Sequence, residues 1–245
     1  MFYVNDKVRR NVLVSSDQGT LIVNRFDHDE NAVGIGQFIL DHGNTSTVEA
    51  NYCIESIKYV DTPVIFDVGS NIGTFTLWLA NYFPKGKIHC FEPQRLVYQM
   101  LCGNLAINNI FNVYTHNIAL GNSVSKIVIQ EPDYEIPNNF GRYSFKQDNI
   151  QRKSEKILID QMTLDHFVSE NKIDRVDLIK IDAESMDLEI LHGSIDTIRK
   201  YSPVIFVEYY DNCQNFFDDI VDFLNTNDYR YQLVHNNILG IKNDK

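Results

Sequence analysis

The feature that most constrains the fold is a repeated alternation between short apolar runs and amphipathic segments. Pro63 to Gly69 is a short β-branched and aromatic run bounded by turn formers, which predicts a buried parallel strand. In residues 73–83 the apolar side chains recur at helical spacing, which predicts a helix. Residues 87–93, 94–108 and 112–120 then predict a strand, a helix and a strand. This βαβαβ order requires right-handed crossovers and a sheet covered by helices on both faces.

The same alternation of strand and helix patterns continues towards the carboxyl terminus. Val176 to Ala183 predicts a strand, the apolar spacing from Leu188 to Ile198 predicts one helix, and Pro203 to Tyr210 predicts another strand. A helix is expected around Asn215 to Leu224, and two short strands with a turn at residues 235–237 then predict an antiparallel hairpin. The chain is therefore expected to be an α/β protein with a doubly wound sheet and an antiparallel C-terminal hairpin.

The first sixty residues predict a small β/α extension. Two short β elements, residues 12–16 and 20–26, precede a helix from Val48 to Lys58. We expect residues 1–60 to pack as this extension on a core domain formed by residues 61–245.

Composition narrows the class of partner. With 245 residues and 44% hydrophobic content, the chain suits one core of ordinary size. Its formal net charge of -11 argues against a phosphate-neutralising surface, so no nucleic acid partner is expected. No apolar run approaches the length of a membrane helix and the start lacks the order of a signal peptide, so a cytoplasmic protein without a membrane span is expected. The cysteines lack pairing motifs and are expected to be free thiols: Cys53, Cys90, Cys102 and Cys213.

Between the first buried strand and its helix the sequence is DVGSNIG, residues 67–73. A sharp turn needs positive φ, and Gly69, Asn71 and Gly73 are the residue types that reach it at least cost. The helix start beyond the turn suits an anionic group, whereas Asp67 fits a ligand with ammonium or sulfonium charge better than a pyrophosphate. The G-x-x-x-G spacing differs from the G-x-G-x-x-G of dinucleotide sites. A turn of purely structural use is the alternative.

Glu92 ends the second buried strand, where a carboxylate can accept hydrogen bonds from both hydroxyls of a ribose. A solvated surface charge or a cap for the next helix is the alternative for an isolated glutamate. Because Glu92 follows the glycine turn at a suitable distance, the two features together favour ribose binding.

DVGSNIG followed by CFEP resembles the cofactor half of class I S-adenosylmethionine (SAM)-dependent methyltransferases, and in particular the FkbM family. The resemblance continues through NIALG at 117–121, TLDHF at 163–167, DLIKIDAESMDLEILHGS at 177–194 and PVIFVE at 203–208. It implies a Rossmann-like, doubly wound sheet of seven strands and SAM as the cofactor. The family usually has K-I-D-x-E-G, and here Ser185 takes the place of the glycine.

The resemblance also extends to the amino-terminal segment, where Gly19, Gly34, residues 42–44 and Glu49 are similar to family positions. The cofactor contacts that it implies are Asp67, Gly69, Ser70, Asn71, Gly73, Glu92, Pro93, Asn117, Ile118 and Asp182. Asn117 and Ile118 follow the third strand, whose end lies beside the adenine in such folds. A turn in which Asn117 only bonds its own backbone is the alternative.

Four ionisable side chains follow apolar runs at the ends of two later strands: Lys180, Asp182, Glu184 and Glu208. Methyl transfer from a sulfonium needs alignment and, for a hydroxyl acceptor, removal of a proton. We expect Asp182 near the donor and the acceptor, and Glu184 or Glu208 as the general base. Lys180 is expected to set their charge states or to orient the substrate. The alternative is an internal lysine–carboxylate pair that supports the strand ends.

Proteins that resemble this family methylate hydroxyls of sugars, glycans or polyketides, so the expected reaction is O-methylation of a sugar, glycan or similar polyol. The acceptor is then a small molecule or a glycan. N-methylation of a small molecule, a dinucleotide-dependent oxidoreductase and a cofactor-binding protein without turnover are the alternatives. The histidines His28, His42, His89 and His116 lack ligand spacing, and no metal is expected.

Two further strands are predicted at residues 126–131 and 155–160, on either side of a loop rich in asparagine, proline, glycine and aromatic residues. Within it, residues 138–145 combine aromatic side chains with a cation. This segment is expected to close over the acceptor or, alternatively, to be a surface loop anchored by Phe140 and Tyr143.

Overall fold

The computed structural model describes residues 10–28, 33–141, 155–209 and 214–243. The strands are β1 (Asn11–Ser16), β2 (Gly19–Asn24), β3 (Val64–Val68), β4 (Lys87–Phe91), β5 (Val113–His116), β6 (Ala119–Leu120), β7 (Ser125–Glu131), β8 (Glu155–Met162), β9 (Leu178–Ile181), β10 (Val204–Glu208), β11 (Tyr229–Val234) and β12 (Asn237–Lys242). The helices are α1 (Ile35–His42), α2 (Thr47–Ile57), α3 (Thr74–Tyr82), α4 (Arg95–Ile107), α5 (Leu164–Glu170), α6 (Asp187–His192), α7 (Ile195–Tyr201) and α8 (Gln214–Thr226).

Seven strands form one mixed sheet in the order β11-β12-β10-β9-β3-β4-β5. The five strands from β10 to β5 are parallel, whereas β12 runs antiparallel to both β10 and β11. The predicted α/β class, the doubly wound sheet and the C-terminal hairpin are confirmed. Because β3 pairs with both β4 and β9, the strand order reverses there, and doubly wound sheets bind ligands at the carboxyl ends beside such a reversal.

Two apolar clusters cover the two faces of the sheet. Ile65 of β3 belongs to the cluster that α3, α4 and the amino-terminal segment complete, with Leu21 among its members. Phe66 and Val68 of the same strand belong to the cluster that α5 to α8 complete. Because side chains alternate along a strand, Asp67 lies on the same face as Ile65.

The β1-β2 hairpin is attached to α4 through asparagine side chains. Asn108 accepts a hydrogen bond from Thr20 N at 2.8 Å and donates to Thr20 O at 2.7 Å. Asn104 Oδ1 accepts from Ile22 N at 2.6 Å. These bonds satisfy backbone groups of β2 and connect the amino-terminal extension to the large sheet's helices. The division between residues 60 and 61 remains a prediction.

The structure corrects the predicted elements in several places. The third strand ends at His116, since Ala119 and Leu120 leave the large sheet and form β6, which pairs with β8. The single helix expected from Leu188 to Ile198 is divided into α6 and α7. Gly193 ends α6 and is packed closely, because a Cβ there would lie 2.0 Å from the carbonyl oxygen of Gly121.

Helices α1 and α5 are absent from the sequence prediction. Both are short, of eight and seven residues, and α1 includes Gly36 in its first turn, which weakens any helical pattern. Cys53, Cys90 and Cys102 are free thiols, while Cys213 lies outside the described residues. Within the described ranges, no helix has the length and apolar character needed to cross a membrane.

Candidate active site

A cavity of about 270 Å³ lies at the carboxyl ends of β3, β4, β9 and β10, where the strand order reverses. The predicted site residues that line it are Gly69, Ser70, Asn71, Glu92, Pro93, Ile118, Lys180, Asp182, Glu184 and Glu208. Asp67, Gly73 and Asn117 do not line it. The fold therefore brings most of the predicted residues together in one place.

The turn after β3 has the backbone that its residue types predict. Gly69, Asn71 and Gly73 have φ of 75°, 50° and 89°. A Cβ on Gly69 would lie 1.8 Å from the carbonyl oxygen of Asp182, so glycine allows the ends of β3 and β9 to approach closely. Gly73 is the N-cap residue of α3 and shapes the turn without reaching the cavity.

Asp67 is fully buried beneath the cavity and pairs with Lys180. Lys180 Nζ lies 3.1 Å from Asp67 Oδ1 and 3.4 Å from Asp182 Oδ2, and it donates to the carbonyl oxygen of Gly69 at 3.0 Å. Thr76 Oγ1 donates to the other Asp67 oxygen at 2.5 Å. Asp67 therefore contacts Lys180 and does not reach the cavity, which corrects the expectation that it contacts a cationic ligand. The two side chains form the internal lysine–carboxylate pair that was the alternative for Lys180.

The charge of Lys180 is held in place by its two acidic neighbours. Burial lowers the pKa of Lys180, but the negative charges of Asp67 and Asp182 outweigh it, so the net direction is upward. Lys180 therefore stays protonated and gives Asp182, which is half-exposed at the cavity, a fixed positive neighbour.

Glu92 is buried and organises the turn after β3. Its Oε2 accepts from Asn71 N at 3.0 Å and its Oε1 from Gln94 N at 2.8 Å. Burial raises the pKa of Glu92 to about 7, although the two backbone hydrogen bonds lower it. Each carboxylate oxygen has a second lone pair, so Glu92 can still accept from a ribose. Asn117 Nδ2 donates to the carbonyl oxygens of Glu92 and Pro93, at 2.8 and 3.1 Å, and fixes the end of β4.

Asp182, Glu184 and Glu208 come together at the ends of β9 and β10. One carboxylate oxygen from each lies within 4.8 Å of the others, and this set could hold a cation. Burial raises the pKa of Glu208 to about 9, and the negative charges of Asp182, Glu184 and Asp187 add to the effect. Glu208 Oε2 is buried, and no hydrogen bond to it is found within the described part of the chain. Glu208 therefore holds a proton near neutral pH unless a positive charge approaches it.

The segment after β9 adopts a backbone that disfavours side chains. Glu184 and Ser185 have φ of 49° and 78°, in the left-handed region. Asp187, fully buried, accepts from Ala183 N at 2.9 Å and Ser185 N at 3.2 Å and stabilises this turn. The positive φ explains why a glycine suits the position of Ser185. Sequence reasoning missed Asp187, although an acid in the first turn of a helix is a recognisable signal.

Two segments distant in sequence complete the cavity. Gly34 and Glu49 line it from the amino-terminal extension, and Asn139 and Gly141 line it from the segment after β7. No periodicity or spacing connects these segments to the strand ends. Gly34 and Glu49 had been singled out by resemblance, and Asn139 and Gly141 belong to the loop at residues 138–145 that was expected to close over the acceptor or to be a surface loop. The remainder of the predicted loop, residues 142–145, lies outside the described residues.

His89 and His116 were expected to be scattered, but they contact each other on adjacent strands. His89 Nδ1 lies 3.2 Å from His116 Nε2, and the ring of Phe167 from α5 packs against both. Burial lowers the pKa of His89 to about 4 and also lowers that of His116. The pair belongs to the packing between the sheet and α5.

Residues 67–231 match the methyltransferase FkbM domain family. The chain is 25% identical over 158 residues to a protein named Methyltransferase 1 from Beauveria bassiana, which covers 59% of this chain and 63% of that protein. It is 22% identical over 176 residues to the 2-O-methyltransferase NoeI from Sinorhizobium fredii, covering 68% of this chain and 71% of NoeI.

The crystal structure of methyltransferase FkbM from Methylobacillus flagellatus has a similar fold, with a TM-score of 0.52 at 19% identity. The similarity covers 80% of this chain and 51% of that chain. The chain thus spans about half of that structure and less than two thirds of the fungal relative. Since the family match extends over more than half of its residues, this chain belongs to the FkbM methyltransferase family.

Proposed function

We propose that this chain is a SAM-dependent O-methyltransferase whose acceptor is a hydroxyl group of a sugar, glycan or similar polyol. The observation that carries the proposal is one cavity in which the turn after β3 meets three carboxylates, those of Asp182, Glu184 and Glu208. The relative NoeI is by name a 2-O-methyltransferase, which supports oxygen as the methylated atom.

The hydrogen-bond acceptors and the charges of the cavity fit SAM. Glu92 has lone pairs for the ribose hydroxyls, and Asp182 and Glu208 provide negative charge for a cation. When bound, SAM supplies a methyl group that its positively charged sulfur already activates. Gly69, Ser70 and Asn71 would hold the cofactor along the turn, and Pro93 and Ile118 would contact its adenosine part.

The acceptor side then needs a group that removes a proton from the hydroxyl. In the proposal Glu208 takes this role through Oε2, or Glu184 does so. The raised pKa of Glu208 suits the removal of a proton from a hydroxyl acceptor. The positive charge of bound SAM would lower this pKa, so that Glu208 enters the reaction ionised. Lys180 orients Asp182 between donor and acceptor.

An unprotonated amine needs less help from a base, so a gathering of carboxylates favours a hydroxyl acceptor over an amine. Because like charges repel, uncharged sugars are expected to be better acceptors than sugar phosphates at this end of the cavity. A cytoplasmic location, a small-molecule or glycan acceptor and the lack of a nucleic acid partner belong to the same proposal.

The first test measures thermal unfolding of the purified protein with SAM, S-adenosylhomocysteine (SAH), NAD and ATP in parallel. A ligand at about 100 times its Kd stabilises the folded state by roughly 2.7 kcal/mol. A rise with SAM and SAH, reduced in Glu92→Ala, is expected. Stabilisation by NAD alone would refute the proposed cofactor.

The second test incubates the enzyme with methyl-labelled SAM and a panel of neutral sugars, glycans, sugar phosphates and small amines. Label in a base-stable ether on a neutral polyol is the expected product. Label found only in amines would replace the proposal by N-methylation, and SAM binding without transfer to any class would indicate a binding protein.

A further inference from the structure

Asp27 is a buried carboxylate that the proposed reaction does not use. It is 4% exposed, and its two oxygens accept backbone hydrogen bonds from two different segments. Oδ2 accepts from Gly36 N at 2.7 Å, and Oδ1 accepts from Phe140 N at 2.9 Å. Burial raises the pKa of Asp27, so the carboxylate occupies this place against its desolvation cost. Such a group calls for a role that an apolar side chain could not fill.

Both segments that Asp27 joins are walls of the cavity. Gly34 at the start of α1 lines one side, and Asn139 and Gly141, on either side of Phe140, line another. Gly34 is the N-cap residue of α1 and has no side chain to accept from the first turn, so Asp27 supplies that acceptor from a distance in sequence. The carboxylate therefore sets the position of one wall relative to the other.

The hydrogen bonds continue from this point to Glu92. The carbonyl oxygen of Phe140 accepts from Gln94 Nε2 at 2.9 Å, and Gln94 N donates to Glu92 Oε1 at 2.8 Å. The other oxygen of Glu92 accepts from Asn71 N at 3.0 Å. One chain of hydrogen bonds thus runs from the start of α1, through Asp27, to the turn after β3.

Close packing ties the wall to the carboxylate. A Cβ on Gly34 would lie 2.2 Å from Asp27 Oδ1. A Cβ on Gly36 would lie 2.8 Å from the carbonyl oxygen of Asn24 and 3.0 Å from Asp27 Cβ. Since neither position has room for a methyl group, both glycines allow the start of α1 to pack directly against Asp27.

We propose that Asp27 is a positioning residue for cofactor binding, which holds the start of α1 and residues 139–141 in the arrangement that a ligand on Glu92 requires. The inference rests on the proposed function, because it takes SAM as that ligand. Walls that are ordered before binding reduce the entropic cost of binding. Loss of the Asp27 carboxylate therefore weakens cofactor affinity although Asp27 does not line the cavity.

The test compares Asp27→Asn with Asp165→Asn. Asp165 has matched chemistry away from the cavity, since its oxygens accept from Asp196 N at 3.0 Å and Thr197 N at 2.7 Å at the start of α7. Urea unfolding is expected to show a loss of stability in both variants. Calorimetric titration, at a temperature where both are folded, is expected to show a Kd for SAM and SAH at least tenfold higher in Asp27→Asn and within twofold of wild type in Asp165→Asn.

Hydrogen exchange of single backbone amides supplies a readout that does not involve the cofactor. In Asp27→Asn, faster exchange is expected at Gly36, at Phe140 and also at Asn71, at the far end of the chain of hydrogen bonds. Unchanged Kd values in Asp27→Asn, or equal losses of affinity in both variants, would overturn the inference, as would unchanged exchange at Asn71.

A wild-type protein that binds neither SAM nor SAH would instead refute the proposed function, and with it the cofactor role of Asp27. If Asp27→Asn fails to fold, Gly36→Ala decides the question, because its methyl group would press on the carbonyl oxygen of Asn24 and on Asp27 and so shift α1 relative to Asp27 without removing the carboxylate. A severalfold rise in Kd for both ligands is expected in Gly36→Ala, and unchanged affinity there would overturn the inference.

Discussion

Asp67 and Lys180 lie opposite each other on the adjacent parallel strands β3 and β9, with Lys180 Nζ 3.1 Å from Asp67 Oδ1 and both side chains closed off from solvent. The pair lies directly beneath the cavity. Asp182, on the cavity side, shares the same ammonium group at 3.4 Å. Lys180 thus links the carboxylate of Asp182 at the cavity to the buried carboxylate of Asp67 inside the sheet.

Replacing Lys180 by methionine is expected to destabilise the fold by about 3 to 5 kcal/mol, because Asp67 then keeps a buried negative charge without its positive partner. Urea unfolding measures the loss. The double variant Asp67→Asn with Lys180→Met should recover part of it. Lys126→Met serves as control, since Lys126 pairs with Asp160 on the surface and its loss should cost less than about 1 kcal/mol. Equal losses in the two lysine variants would contradict the buried pair.

Ser185→Gly is expected to stabilise the protein by about 1 kcal/mol, because Ser185 has φ of 78° and glycine adopts that conformation without a steric penalty. Differential scanning calorimetry should show a higher Tm. Ser202→Gly is a matched control, because Ser202 has φ of 52° at the end of α7, away from the cavity, and should show a similar gain. A lower Tm in Ser185→Gly would mean that the serine side chain supplies an interaction that outweighs its strain.

Glu208 is expected to make stability fall as the pH rises. Its pKa is about 9 in the folded protein against 4.5 as its ordinary value, so between these values the folded state holds a proton that the unfolded state has released. Glu208→Gln does not titrate. Its stability relative to wild type should therefore increase from pH 5.5 to pH 8, by about 1 kcal/mol or more, since one pKa unit corresponds to about 1.4 kcal/mol.

Urea unfolding at the two pH values measures this difference. The control is Glu135→Gln, which removes a mostly exposed glutamate paired with Arg10 and should differ from wild type by the same amount at both pH values. A constant difference between Glu208→Gln and wild type across this range would show that the folded state does not hold the proton on Glu208.

Asp182→Asn and Glu208→Gln are each expected to lower kcat by about 100-fold or more and to raise the Kd for SAM far less, because both groups act in the reaction itself while Glu92 and the turn after β3 supply most of the cofactor contacts. Single-turnover assays with labelled SAM and the acceptor found in the panel separate the two quantities. Glu184→Gln distinguishes the candidate bases, since only the variant that removes the true base should lose the pH dependence of kcat. Full turnover in both Asp182→Asn and Glu208→Gln would refute the assignment.

Chelation is expected to leave SAM binding and methyl transfer unchanged. The carboxylate oxygens of Asp182, Glu184 and Glu208 lie within 4.8 Å of one another, but Lys180 already supplies positive charge beside Asp182, and Glu208 tends to bind a proton. The measurement is activity after dialysis against EDTA, with and without added Mg²⁺ or Mn²⁺. Activity that is lost on dialysis and restored by either ion would show that the three carboxylates bind a metal ion.

Local patterns were enough to predict much of the fold and part of the site. The apolar runs that became β3, β4, β9 and β10 are readable because a strand buried on both faces is short, apolar and bounded by turn formers. The turn after β3 is readable because Gly69, Asn71 and Gly73 suit positive φ. The position of Glu92 at a strand end follows from the same pattern, so most of the site residues predicted from the sequence do line the cavity.

What only the tertiary structure decided depends on contacts between residues far apart in the chain. Asp67 was predicted to face a ligand, and the register of β3 against β9 placed it opposite Lys180 instead. Asp27 reaches the cavity walls only because the amino-terminal extension packs against the segment that contains Phe140, 113 residues away. Strand register and the packing of distant segments are set by how whole elements fit together, and no local spacing of residue types specifies them.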